Sequence, residues 1–200
     1  MKRFGLLMTV LLTVSLLAGC GSDDDENEGM IWDIAGISFC IYITDEEGHD
    51  LLDSTFQDNL LSRLTVNYEG TDYPVMTERE VYEKEFGGVQ NKTREYFARF
   101  TGLVLQRNYN QRFEPVGYRL AFGEFSGDEN VALRQLTLFL DGVATHRLAY
   151  SNSFRWNKHT PEIDRTFFLG SRQLEPHAQG SNYFFSYSPE HGLVAESGKQ

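Results

Sequence analysis

From Ala35 to Thr44 the odd positions carry Ala, Ile, Phe, Ile and Ile, and the even positions carry Gly, Ser, Cys, Tyr and Thr. Successive side chains of an extended chain point to opposite sides, so a period of two over this stretch predicts a strand with one buried face. The turn-forming run Asp45-Glu46-Glu47-Gly48-His49-Asp50 ends it. Further on, Leu64, Val66 and Tyr68 alternate with Arg63, Thr65 and Asn67, and Glu69-Gly70 precedes Tyr73-Pro74-Val75. A two-residue loop pairs Val66 with Tyr73 and Leu64 with Val75, bringing apolar residues together on one face. Because Pro74 has no N–H to donate, the second of these strands is expected at a sheet edge.

Between Met76 and Glu95 the pattern changes. Thr77 and Glu80 have capping-box spacing, and Val81, Tyr82, Glu85 and Phe86 follow at helical intervals before Gly87-Gly88, so a short helix near 77–86 is expected, with a charged loop as the alternative. Strand patterns resume over 97–106 and 117–125, on either side of the polar stretch 107–115. At Asp141-Gly142 a three-residue hairpin loop pairs Leu138 with Ala144 and Leu136 with His146, puts Gly142 at positive φ and keeps Leu136, Leu138 and Leu148 on one face. A two-residue loop would instead set Leu138 opposite Thr145. The last strands are expected at Ile163–Leu169 and Tyr183–Tyr187. Eight or nine strands with no long helical pattern between them predict an all-β domain, an antiparallel β-sandwich of immunoglobulin-like or related type.

The chain opens differently. Lys2 and Arg3 precede an uncharged stretch from Phe4 to Leu17, which leads into Leu17-Ala18-Gly19-Cys20, the layout of an export signal. The stretch falls short of the roughly 20 residues a spanning helix needs, so cleavage is expected rather than a permanent membrane helix. Leu16-Leu17-Ala18-Gly19-Cys20 resembles the lipobox of bacterial lipoproteins. That resemblance implies a signal peptide over 1–19 and a new N-terminus at Cys20, acylated through diacylglycerol and a further chain such as palmitate. Several acyl chains, at about 0.8 kcal/mol per buried methylene, give stable attachment. Gly21 to Gly29 carries five carboxylates (Asp23, Asp24, Asp25, Glu26, Glu28) and no apolar side chain, so residues 20–30 are expected to form a disordered tether before a single domain over 31–200.

The acidic run resembles the export tag of surface-exposed Bacteroidota lipoproteins, which implies the outer membrane and the cell surface. A plain solvated spacer on a periplasm-facing lipoprotein is the alternative. The stretches Asp45 to Asp53, Asn67 to Tyr73, Phe122-Gly123-Glu124-Phe125 and Phe154-Arg155-Trp156 are similar to those of β-rich Bacteroidota lipoprotein domains of unknown function. This resemblance implies an exported β domain and supplies no activity.

Setting aside Lys2 and Arg3 leaves sixteen basic residues against twenty-nine acidic, a mature formal charge of −13. Such a chain is repelled by nucleic acid, which is not expected as a partner, and by anionic headgroups. The partners expected are the membrane, through the lipid anchor, and a glycan or another surface protein. With Cys20 acylated, Cys40 has no mate and is expected as a buried, inert thiol.

Few residues suggest chemistry. Asp45, Glu46, Glu47, Asp50 and Asp53 surround Gly48 and offer the hard oxygen ligands of a Ca²⁺ loop, without the alternate spacing of one; a solvated turn is the competing reading. His49, His146, His159, His177 and His191 are isolated, and His146 falls on an apolar strand face as a hydrogen-bonded core residue. Glu124, Asp128, Glu129 and Asp141 could serve a hydrolase only if the fold brings two of them together. No cofactor is expected. Tyr109 and Trp156, set among polar residues, are the candidates for an exposed sugar platform, ahead of Trp32 and Tyr183-Phe184-Phe185. Asp53-Ser54-Thr55 resembles the Bacteroidota O-glycosylation acceptor, implying a modified Ser54, while Asn91-Lys92-Thr93 fits an N-linked pattern that a bacterial lipoprotein leaves unused. A non-enzymatic binding module is therefore expected. An extracellular polymer hydrolase and a subunit of an envelope assembly are the alternatives.

Overall fold

The computed structural model describes residues 34, 36–86, 102–124, 127–158, 160–175 and 180–196. The chain divides into units of Met1–Asp33 and Ile34–Gln200, and all described residues lie in the second. The signal peptide, Cys20, the acidic tether, Trp32, Asn91 to Thr93, His159 and His177 lie outside them.

The domain is almost all β. Among the described residues the strands are β1 (Ile37–Asp45), β2 (Leu64–Tyr68), β3 (Thr71–Thr77), β4 (Leu103–Tyr109), β5 (Pro115–Glu124), β6 (Val131–Leu140), β7 (Val143–Asn157), β8 (Thr160–Leu169), β9 (Arg172–Leu174), β10 (Gly180–Ser188) and β11 (Gly192–Ala195), with one helix, α1 (Glu78–Phe86). They form a single curled sheet in the order β11-β10-β1-β5-β4-β3-β2-β6-β7-β8-β9, a half-barrel rather than two stacked antiparallel sheets. The sheet is mixed, since β1 pairs with β10 and β3 with β4 in parallel. Strand alternation reports one buried face per strand, and that is the same on a sandwich sheet as on the concave side of a curled one.

The interior is that concave side. Ile37, Phe39, Ile41 and Ile43 of β1 alternate inward, as the sequence requires, and meet Leu120 and Phe122 of β5, Leu136 and Leu138 of β6, Leu148 and Tyr150 of β7, Phe167 of β8, and Tyr183 and Phe185 of β10, all with almost no exposed surface. Phe39 and Phe122 stack at 4.5 Å, and Tyr183 meets the edge of Phe39 at 5.1 Å.

Several local expectations hold. Val66 lies opposite Tyr73. Helix α1 starts on the capping box, with the Thr77 amide donating to Glu80 Oε2 at 2.7 Å and the Glu80 amide to Thr77 Oγ1 at 3.2 Å. Two differ. Strand β3 is internal, not an edge, because it changes neighbours at Pro74: residues 71–74 pair with β2, residues 75–77 with β4. At Asp141-Gly142 both residues have positive φ, 52° and 76°, closing a two-residue turn that pairs Leu140 with Val143. A bulge between Leu138 and Phe139 then places Leu138 opposite His146 and Leu136 opposite Leu148, so neither register expected from the sequence is found. Thr145 is the extra residue, and its hydroxyl donates to the Leu138 carbonyl at 2.9 Å. The three leucines still share the buried face.

Strand directions divide the sheet into a near end, where β1 begins, and a far end, where it finishes. Glu124, Tyr68, Arg134 and the close of β7 fall at the near end; the Asp45 turn, the β4–β5 hairpin, Arg63 and Asp141 fall at the far end.

Candidate functional site

At the near end β7 and β8 outrun the sheet. The pairing of β6 with β7 ends at Val131 opposite Asn152, whereas β7 and β8 stay paired to Asn157 and Thr160, so the last residues form a two-stranded arm. Alternation gives the arm two unlike faces. One carries Phe154 and Trp156 opposite Ile163 and Pro161. The other carries Arg155 opposite Glu162, an ion pair at 2.5 Å, with the Asn157 amide also donating to Glu162. Trp156 is 55 % exposed and meets the Phe154 ring edge-on at 5.6 Å. Such a pair presents a flat, fixed indole face beside polar groups, which is the equipment for stacking on a sugar ring.

Just inside the arm lies a buried polar cluster of which the sequence offered Glu124 and none of its partners. Glu124 Oε2 accepts from Tyr68 Oη at 2.9 Å and from Tyr150 Oη, and the two hydroxyls are 2.9 Å apart. Arg134 donates Nη1 to Glu124 Oε1 and to Tyr68 Oη at 3.1 Å, and its Nε lies 3.3 Å from Glu69. Burial first, and then the neighbouring carboxylate, pushes the Tyr68 phenol well above its ordinary range, with Arg134 opposing. Next along the interior, Asn152 donates to the carbonyls of Gly127 and Glu129, and Arg165 donates to Asn152 and to the Gly36 carbonyl. The residues come from β2, β5, β6, β7 and β8, so no local spacing announces them. Both oxygens of Glu124 are engaged, which suits a structural tie between strands better than a base awaiting substrate.

Tyr109 lies at the other end of the sheet, so the structure does not bring it to Trp156. It flanks the β4–β5 hairpin, where Phe113 is 86 % exposed at φ +61°. Asn110 holds that turn, accepting from the amides of Arg112 and Glu114 at 2.9 and 3.0 Å.

The acidic turn after β1 also separates its members. Asp45 Oδ1 accepts from the Glu47 and His49 amides at 2.9 and 2.8 Å, while Oδ2 lies 2.7 Å from His49 Nδ1. Ligand atoms of Asp45, Glu47 and His49 fall within 4.8 Å of one another, so the residue the metal reading omitted is His49. Asp50 and Asp53 turn elsewhere. Asp50 accepts from Leu52 and, at 2.6 Å, from Tyr118, lying against Gly117, whose missing Cβ would sit 2.7 Å from Asp50 Oδ2. Asp53 accepts from the Thr55 amide and hydroxyl, both at 2.8 Å, and leaves Ser54 exposed. The His49 hydrogen bond and charge of Asp45 raise the imidazole above its ordinary range.

Asp141 is bound by Arg63, which donates from Nε and Nη2, so it is remote from Glu124 and no carboxylate pair forms between them. Cys40 is half-buried, and burial pushes its thiol up against the opposing charge of Arg119. His146 departs from expectation: its buried Nδ1 has no hydrogen-bond partner, and burial pushes the imidazole below its ordinary range. No protein-family model, curated protein or solved structure matches the chain.

Proposed function

We propose that the protein is a lipoprotein anchored through Cys20 at the outer face of the outer membrane, whose half-barrel is a non-catalytic binding module for a surface glycan or an envelope or host protein. The single observation that carries the binding reading is the Trp156 arm, an aromatic face held clear of the sheet with no charged side chain on it. The leader sequence supports the anchor, and the formal charge disfavours nucleic acid. Ser54, exposed beside Asp53, is the acceptor we assign to an O-linked glycan, to be read as a mass increment lost in Ser54→Ala.

A glycan array probed with the full chain tests the module. Binding that falls at least about tenfold in Trp156→Ala, the loss of roughly one stacked aromatic contact, supports it. Binding unaffected by Trp156→Ala, or to no glycan and no envelope protein, removes it. Metabolic labelling with a fatty-acid analogue tests the anchor separately: label in the native chain, none in Cys20→Ser. An unlabelled native chain ends the lipoprotein assignment and leaves the array result standing.

A further inference from the structure

Among the described residues no backbone ladder joins β10 or β1 to β7, β8 or β9, although these strands face each other across the open side of the half-barrel. A row of side-chain contacts takes its place. From the near end to the far end, Arg165 Nη1 donates to the Gly36 carbonyl at 3.0 Å, and Phe167 meets Phe39 edge-on at 6.5 Å. Tyr183 Oη then donates to the Phe168 carbonyl at 3.2 Å, the His146 ring lies 4.8 Å from Phe185, and Arg63 Nη2 donates to Tyr187 Oη at 3.1 Å. The seam is therefore shut by packing, each contact breakable without unravelling a strand.

Only one of these contacts changes charge near neutral pH. Arginine stays protonated, and a buried phenol such as Tyr183 stays neutral, whereas imidazole titrates between about pH 5 and 8. His146 is half-buried against Phe185, and its Nδ1 lies away from solvent with nothing to bond. Among the described residues none accepts a hydrogen bond from Nδ1. β6 faces it with Leu138, and β10 with Phe185 flanked by Tyr183 and Tyr187. The far end supplies Arg63 and Asp141, already paired to each other, while Arg147 on β7 and Arg172 on β9 are exposed cations. Glu196 follows Ala195, which lies opposite Phe185, and its amide donates to the Phe184 carbonyl.

We propose that His146 makes the seam an acid-sensitive latch: a proton taken up by the imidazole beside Phe185, with no acceptor for it among the described residues, loosens β10 and β11 from β7 and β8 and uncovers the aromatic interior between them. At neutral pH the ring is an uncharged wedge and the seam is closed. The closed state disfavours the cation, so closure weakens as pH falls below the ordinary imidazole value and not as it rises.

Binding of an environment-sensitive apolar dye to the full chain at pH 7.5 and 5.5 tests this, because opening uncovers aromatic side chains while the ladders of β10 with β1 and β11 stay paired. After correction for the dye's own response to pH, emission is expected to rise at least about twofold at the lower pH. His146→Phe keeps a ring against Phe185 and cannot take the proton, so its emission is expected to be independent of pH, while His49→Asn retains the response. Unchanged emission in the native chain, or the same rise in His146→Phe, overturns the latch. Should His146→Phe not fold, imidazole resonances of the native chain decide: the His146 midpoint must coincide with that of the emission change, and separate midpoints overturn it equally.

Discussion

Glu124 receives hydrogen bonds from Tyr68, Tyr150 and Arg134 in a space that is 9 % exposed at the carboxylate, so its removal takes an acceptor from three donors at once. Losing the carboxylate that balances Arg134 and ties the two phenols is expected to cost about 3–5 kcal/mol in Glu124→Ala. Tyr150→Phe removes one hydroxyl and leaves the carboxylate and Arg134 in place, and is expected to cost about 1–2 kcal/mol. Urea unfolding of the two variants checks the ranking, and equal midpoints would show the cluster is not shared in this way. His49 gives the complementary case on the surface. Asp45 raises its imidazole, so the pairing favours the folded turn below the ordinary imidazole value and loses that effect as pH rises through the raised one. In Asp45→Asn the His49 resonance is expected to titrate at lower pH than in the native chain, and an unmoved midpoint would refute the pairing. The acidic run drew attention to this turn from sequence alone. The convergence of Asp45, Glu47 and His49, and the departure of Asp50 and Asp53, depended on which carboxylates the neighbouring amides captured.

The β6–β7 hairpin shows how an element can be right in kind and wrong in register. Asp141-Gly142 was legible as a turn, and the shared face of Leu136, Leu138 and Leu148 was legible from their spacing. What spacing could not show is the bulged Thr145, which satisfies the same apolar face through a different turn. Gly142 sits at φ +76°, where a side chain is strained, so Gly142→Ala is expected to lower stability by about 1–2 kcal/mol. Thermal unfolding measures it, and no shift would mean the turn relaxes to another type. The β2–β3 hairpin makes the reverse point: its register followed from the sequence, but its place in the sheet did not. Pro74 is tolerated inside because the strand hands over from β2 to β4 at that residue.

At the scale of the whole molecule, the curl of the sheet places the aromatic residues of β1, β5, β8 and β10 in one interior, and side chains alone close its open side. Phe167 belongs to both, packing in the core and reaching Phe39 across the seam. Phe167→Ala is expected to cost about 3–5 kcal/mol, the range for emptying a buried aromatic site. Chemical denaturation gives the value, and a loss below about 1 kcal/mol would show that the seam collapses to refill the space. Strand direction separates Tyr109, at the far end, from Trp156, at the near end, although the sequence had presented them together as candidates.

Alternation, capping and turn residues determined the β class, the helix at Thr77, most strand positions and which face of each strand is buried, because these depend on neighbours a few residues away. The number of layers, the parallel pairings of β1 with β10 and of β3 with β4, the Glu124 cluster and the His146 seam were decided only by the tertiary structure. Each joins residues tens of positions apart, and nothing in the local pattern of hydrophobic and polar positions distinguishes a strand with one partner from the same strand with another.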